Sequence, residues 1–253
     1  EGVAVPYEEE VVACVATMPC RAAQLEIACA SLLPQVDRMF IYFNDYTEGQ
    51  VPEWAVCDPS ITWVTSNDCP YGDLGDVGKF FFCSQEMKDV FRISGDVFTF
   101  DDDIVYPEWY VEQTRQKLSE DSLSCSLLSY HGAILHKGCT DYHLQKTLFE
   151  VKGDVPQLTR VHVGGTGCMS FRSSLFAPSL EMFQHTNMSD IFVAKWAKQN
   201  GAKIYVLPHQ RGDFRVLLEA QNTIYDSTFR KDGSERDRSA EIKKIISSVL
   251  WHD

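Results

Sequence analysis

The sequence predicts an α/β fold, a single domain built on a mostly parallel central sheet with helices wound on both faces. Short uninterrupted apolar runs recur along the chain, as expected of strands covered on both sides. Segments with helical spacing separate those runs, and the connections between them are short. With 253 residues, 44% of them hydrophobic, the chain can bury a large core. One domain over 11–253 is therefore the simplest count, preceded by a polar lead-in or linker over 1–10.

Val11-Val12-Ala13-Cys14-Val15-Ala16 is the first apolar run, and Thr17-Met18-Pro19 breaks it. A helix is predicted over 20–33, with Leu25, Cys29 and Leu32 on one face and Pro34 at its end. Met39-Phe40-Ile41-Tyr42-Phe43 is the second strand, leaving through Asn44-Asp45-Tyr46. Ile61-Thr62-Trp63-Val64-Thr65 is the third. The 71–79 loop after it carries Gly72, Gly75 and Gly78, which permit unusual φ values and close backbone approach, and 80–90 then reads as helical. Asp96-Val97-Phe98-Thr99-Phe100 is a fourth strand that stops on Asp101-Asp102-Asp103, and Pro107 announces a helix start over 108–112.

Beyond Leu118 the pattern loosens. A strand is predicted over 124–131, whereas 132–159 is polar and has no assignable period. Val161-His162-Val163 leads into Gly164-Gly165-Thr166-Gly167, and Cys168-Met169-Ser170-Phe171 follows as a strand. Ser189 is expected to cap a helix over 190–200, with Val193, Trp196 and Ala197 on its apolar side and Gly201 at its stop. The last strand is expected over 203–207. A charged stretch over 226–239 reads as a mobile loop, and Ile242, Ile245, Ile246, Val249 and Leu250 mark a closing amphipathic helix over 240–251.

A formal charge of -13 argues against a nucleic-acid surface and requires that any anionic ligand be met by local cations, a metal or backbone N–H groups. Nine cysteines without Cys-x-x-Cys spacing read as reduced thiols in a cytoplasmic protein. No signal peptide and no apolar stretch near the length of a membrane span is apparent. In that compartment the sequon Asn187-Met188-Ser189 is a chance match.

Three adjacent carboxylates at a strand tip repel one another, and fold stability does not call for them. A hard divalent cation does: Mg²⁺ or Mn²⁺ takes oxygen ligands and is commonly held by one or two carboxylates together with substrate phosphates. The placement agrees, since open α/β sheets bind ligands at the carboxyl ends of their strands. The competing reading is a loop or helix-capping cluster ahead of Pro107.

Gly75-Asp76-Val77-Gly78-Lys79-Phe80, then Asp101-Asp102-Asp103-Ile104-Val105-Tyr106-Pro107 with Tyr110-Val111-Glu112, then Gly165-Thr166-Gly167, then a helix opening on Asp190, resemble the bacterial capsule glycosyltransferases that add N-acetylglucosamine to heparosan-type polysaccharides. The resemblance spans roughly 11–220, and the constant order of the motifs makes it specific. It implies a GT-A fold and a UDP-sugar donor, UDP-GlcNAc foremost. It also implies an oligosaccharide or polysaccharide acceptor, transfer with retention, and a DxD motif for Mn²⁺ or Mg²⁺. Association with other capsule-synthesis enzymes or a membrane-bound export complex, at the inner face of the membrane, follows from the same likeness. Another UDP-hexose or hexuronic acid donor, or a catalytically idle sugar-nucleotide-binding module, is the alternative. A nucleotidyltransferase would carry a glycine- and arginine-rich phosphate loop after the first strand, where this chain has Thr17-Met18-Pro19.

On this reading Asp101 and Asp103 hold the metal, and Asp102 meets the ribose or the sugar. Thr17 and Asn44 line the base pocket or are ordinary strand-exit residues. Lys79 reaches a phosphate or ribose, or is a solvated lysine poorly placed at a helix start. Gly165, Thr166 and Gly167 offer bare backbone and a hydroxyl to the sugar or a phosphate. Asp190 acts on the acceptor hydroxyl, or in a retaining enzyme stabilises positive charge or orients the acceptor; alternatively it only complements a helix dipole. Arg215, with His209 and Arg211, forms a cationic patch over the diphosphate, and His209 completes the metal shell. Cys168, Met169 and Met18-Pro19-Cys20 depart from the family pattern near the sugar pocket.

Overall fold

The computed structural model describes residues 10–217, 239–249 and 251. The lead-in over 1–9, most of the loop expected over 226–239, and Leu250 lie outside the described residues. The strands are β1 Val11–Thr17, β2 Arg38–Phe43, β3 Ile61–Thr65, β4 Asp96–Phe100, β5 Ile104–Val105, β6 Ser126–Ser129, β7 Gly132–Leu135, β8 Lys146–Phe149, β9 Thr159–Val161, β10 Val163–Gly164, β11 Cys168–Arg172, β12 Lys203–Val206 and β13 Arg215–Val216. Between them stand α1 Ala22–Leu32, α2 Glu53–Cys57, α3 Gly78–Phe81, α4 Lys88–Phe91, α5 Tyr110–Leu118 and α6 Ser189–Gln199, and a helix over Ser239–Ser247 closes the described chain.

Eight strands make one sheet in the order β3-β2-β1-β4-β11-β6-β12-β9. Neighbours β3, β2, β1 and β4 are parallel, as are β6 and β12. Strands β11 and β9 run against the rest. The expected α/β sheet is thus present and mostly parallel. Its reversed strand β11 has a direct consequence: its beginning, with the glycine loop just before it, meets the carboxyl end of β4, the neighbour of β1. A second sheet, β10-β7-β8, is antiparallel, and β13 pairs with β5.

Period-2 alternation explains why the central strands read as unbroken apolar runs. Val12 and Cys14 face one core cluster with Phe80, Phe82, Phe171 and Val193, while Val11, Ala13 and Val15 face another with Leu25, Cys29, Phe98 and Tyr110. Each fully buried phenylalanine among them contributes about 1.5–3 kcal/mol by removal from water.

Several expected elements are redrawn. The helix expected over 80–90 is two short turns, α3 and α4. Phe80, Phe81, Phe82, Cys83 and Ser84 are all buried, so this stretch is wedged on every side and has no polar face to sustain one amphipathic helix. Arg92 then ends α4 with a positive φ of 53°. The helix announced by Pro107 begins at Tyr110. The polar 132–159 stretch holds β7 and β8, whose outer strand is half exposed and shows no apolar alternation. The Val161-His162-Val163 lead-in divides at His162 between β9 in the large sheet and β10 in the small one. Ser189 is the first residue of α6 and does not cap it; Met188 stands at the cap position. Among the described residues no helix is long and apolar enough to cross a membrane.

Candidate functional site

The register of the parallel strands assembles the site. Val15 is level with Phe100, so two residues further Thr17 is level with Asp102. The Thr17 hydroxyl donates to Asp102 Oδ2 at 2.7 Å, and Arg21, in the turn leaving β1, donates to Asp102 Oδ1 at 2.7 Å and Asp103 Oδ2 at 3.4 Å. Asp102 is therefore turned inward, its side chain 4% exposed, and serves as an anchor between β1 and β4. Both of its oxygens are thereby engaged by protein donors, although it also lines the cavity where a ribose or sugar contact was expected of it. Asp101 is 40% and Asp103 15% exposed, so these two carboxylates remain available at the rim.

Lys79 is buried and ion-paired with Asp101. Burial pulls its pKa down, but the charges of Asp101, Asp76 and Asp190 outweigh this and leave it raised. The solvated-lysine alternative is thereby removed. Arg21 is held charged in the same way against its own burial, by Asp102, Asp103 and Asp101. Asp103 is pushed up to about 7, chiefly by burial and then by its neighbours Asp101 and Asp102.

The glycine loop ahead of β11 closes one side. A Cβ at Gly167 would overlap the Asp101 carboxylate, and one at Gly165 would stand 2.8 Å from the His131 ring. Gly167 also accepts from the Asp101 N–H at 3.2 Å and from the Tyr106 hydroxyl, which fixes the triple-Asp backbone against the loop. Thr166 donates to Asp190 Oδ1 through its N–H at 2.8 Å and its hydroxyl at 2.7 Å. Asp190, in the first turn of α6, has its pKa raised mainly by burial, against the lowering effect of Thr166 and Lys79.

Asp76 ties the 71–79 loop to that helix. Its carboxylate accepts from the N–H groups of Asn187 (2.5 Å) and Ser189 (2.9 Å) and from the Ser189 hydroxyl (2.5 Å), capping α6 from a distant part of the chain. Asn44 pins the same loop, donating to the Gly75 carbonyl at 2.9 Å and accepting from the Leu74 N–H at 3.0 Å. Gly78 is required for this approach, since a Cβ there would come within 2.7 Å of the Tyr42 ring. Thr17 and Asn44 thus line the cavity with their side chains engaged in holding its walls.

Thr17, Arg21, Asn44, Asp76, Lys79, the triple Asp, the Gly165-Thr166-Gly167 loop and Asp190 border one cavity of about 650 Å³. Its far wall comes from β8 and the segments around it, through His131, Tyr142, Lys146 and Glu150. Burial, then Lys146, holds His131 down to about 4, so its imidazole is neutral near pH 7. The Lys146 ammonium lies 3.7 Å above the Tyr142 ring, and burial lowers its pKa.

The expected cationic patch does not assemble. His209 is buried, with its ring nitrogens facing the carbonyls of Leu207 (2.8 Å) and Glu150 (3.1 Å), and it is not a metal ligand. Arg211 is 79% exposed beside Asp154. Arg215 is exposed on β13, which pairs with β5 immediately after the triple Asp, and its side chain does not line the cavity. The cations that do line it are Arg21, Lys79 and Lys146. Arg21, Asp76 and His131 had no assigned role in the sequence; a cation four residues beyond Thr17, one turn from a strand exit, was the available signal for Arg21.

Six acids, Asp76, Asp101, Asp102, Asp103, Glu150 and Asp190, face those three cations. Such a surplus would repel a diphosphate unless a cation entered with it. Among the described residues no three of His, Cys, Asp or Glu are grouped to hold a metal by themselves. Two rim carboxylates completed by substrate oxygens are, however, the usual donor set for Mg²⁺, so Asp101 and Asp103 fit that role. No family model matches the chain, and no curated protein matches it.

Proposed function

We propose that this chain is a metal-dependent glycosyltransferase of GT-A type that moves a sugar from a UDP-sugar, N-acetylglucosamine foremost, to a capsule-type polysaccharide or related glycan. The gathering of Asp101, Asp103, Lys79, Asp190 and the Gly165-Thr166-Gly167 backbone around one cavity, at the carboxyl ends of parallel strands, carries this reading.

The reaction breaks the anomeric C–O bond to the diphosphate and forms one to an acceptor oxygen, whose proton departs. Asp101 and Asp103 are the residues that would hold Mn²⁺ or Mg²⁺, which when bound supplies the charge that stabilises the leaving diphosphate. Lys79 and Arg21 keep fixed positive charge beside these carboxylates and so make their clustering tolerable. The absence of side chains at Gly165 and Gly167 lets His131 and the Asp101 carboxylate pack directly against the loop, which sets the position of Asp101 at the cavity. Asp190 has its carboxylate oriented by Thr166 and sits between that loop and the far wall. In an inverting transfer it takes the acceptor proton. In the retaining transfer that the motif resemblance implies, it orients the acceptor or stabilises charge on the sugar. Assembly with other capsule-synthesis enzymes belongs to the same reading.

The test is turnover of a panel of UDP-sugars with Mn²⁺ and without acceptor, together with UDP binding to Asp101→Asn and Asp103→Asn. Slow hydrolysis of one donor, and loss of metal-dependent UDP binding in the folded variants, is the expected result. Metal-insensitive UDP affinity that both variants retain would overturn the assignment, and UDP binding without turnover of any donor would favour the idle module.

A further inference from the structure

The other end of α6 borders a second pocket, of about 250 Å³, formed where that helix meets β9, β12 and Trp251. Its floor is apolar, with Ala197, Ile204 and Trp251. Small side chains leave the space open, and the Trp251 indole N–H is already committed to the Ile246 carbonyl at 2.9 Å, so tryptophan presents a ring there and no donor. Its charged lining is cationic throughout: Arg160 from β9, Lys198 from α6 and Lys203 from β12. Among the described residues no acid lines it, in a chain with 36 acidic and 23 basic side chains. Among the described residues none of the three cations is ion-paired.

Three separate elements thus bring cationic side chains to one hollow, and among the described residues no carboxylate lines it to offset them. Such an arrangement is unfavourable in the empty protein and favourable around an anion. The hollow has room for roughly eight water molecules at their liquid volume, enough to seat a single ring. We propose that this pocket binds a small organic anion. Its phosphate or carboxylate group is met by Arg160, Lys198 and Lys203, and its apolar body lies against Ala197, Ile204 and Trp251. The site is separate from the acid-lined cavity and does not depend on the transferase reading.

The full chain, labelled with ¹⁵N, is titrated with phenyl phosphate, benzoate, inorganic phosphate and benzyl alcohol while the Trp251 indole N–H resonance is followed. Saturable movement with phenyl phosphate or benzoate at a Kd of about 1 mM or tighter is expected, and whichever binds more tightly identifies the anionic group. The Arg160→Glu/Lys203→Glu double variant, altered only at exposed positions, should bind about tenfold more weakly. Lys198→Ala should give an intermediate loss. Equal affinity in the charge-reversed protein, binding of benzyl alcohol as tight as that of the anions, or no saturable movement of Trp251 would each overturn the proposal.

Discussion

Replacing Asp103 with asparagine should stabilise the metal-free protein at neutral pH and remove a specific pH dependence. Burial and two neighbouring carboxylates raise Asp103 from 3.8 to about 7 in the folded state. A raised carboxyl pKa means the folded protein holds the proton more tightly than the unfolded chain. Its contribution is therefore fully present below about pH 4 and is lost as pH climbs to about 7. At about 1.4 kcal/mol per unit the full shift corresponds to about 4 kcal/mol. Solvent at the 15% exposed side chain screens part of it, so about 2–4 kcal/mol is expected. Urea denaturation of both proteins in chelator, across that window, should show them diverging in favour of Asp103→Asn as pH rises. Mn²⁺ should then restore stability to the native chain at neutral pH and do little for the variant. A stability difference that stays constant across the window would refute the electrostatic account of the triple-Asp rim.

Lys79→Met should lower stability by about 3–5 kcal/mol in chemical denaturation, because Asp101 loses its buried partner while Asp76 and Asp190 lose a compensating charge. Gly167→Ala should cost about 1–3 kcal/mol and weaken metal-dependent UDP binding in calorimetry, since the added methyl overlaps the Asp101 carboxylate. Asp190→Asn should reduce sugar transfer by about a hundredfold or more with UDP affinity nearly unchanged; lost UDP affinity would make the residue structural.

The parallel half of the sheet was legible because strands buried on both faces leave continuous apolar runs, and β1 to β4 show them. So were Asp101, Lys79, Asp190 and the Gly165-Thr166-Gly167 loop, which the fold brings to one cavity. The far wall was not legible. Half-exposed strands such as β8 need no apolar alternation, and Lys146 and Thr147 read as loop until their partners across β7 are known. Phe80 to Cys83 misled in the opposite sense, since a stretch buried on every side has no period to read. His209 was misassigned because residue type suggests a ligand, whereas the aromatic cage of Tyr130 and Phe214 and two carbonyls decide its use. Arg21 was overlooked because its role depends on strand register, which pairs residues 81 and 82 positions apart.

Asp76 clasps the amides of residues 111 and 113 positions further along the chain. The segment that leads to Lys79 and the first turn that holds Asp190 are therefore tied together, through Asp76 and through the close approach of Gly75 to Thr186 and Asn187. A shift of the 71–79 segment would be transmitted to Asp190 as a rotation of its whole helical turn, so alignment on one bank of the cleft is inherited by the other. Asp76→Ala, which removes both acceptor oxygens, would loosen one bank from the other while leaving the rim carboxylates themselves untouched.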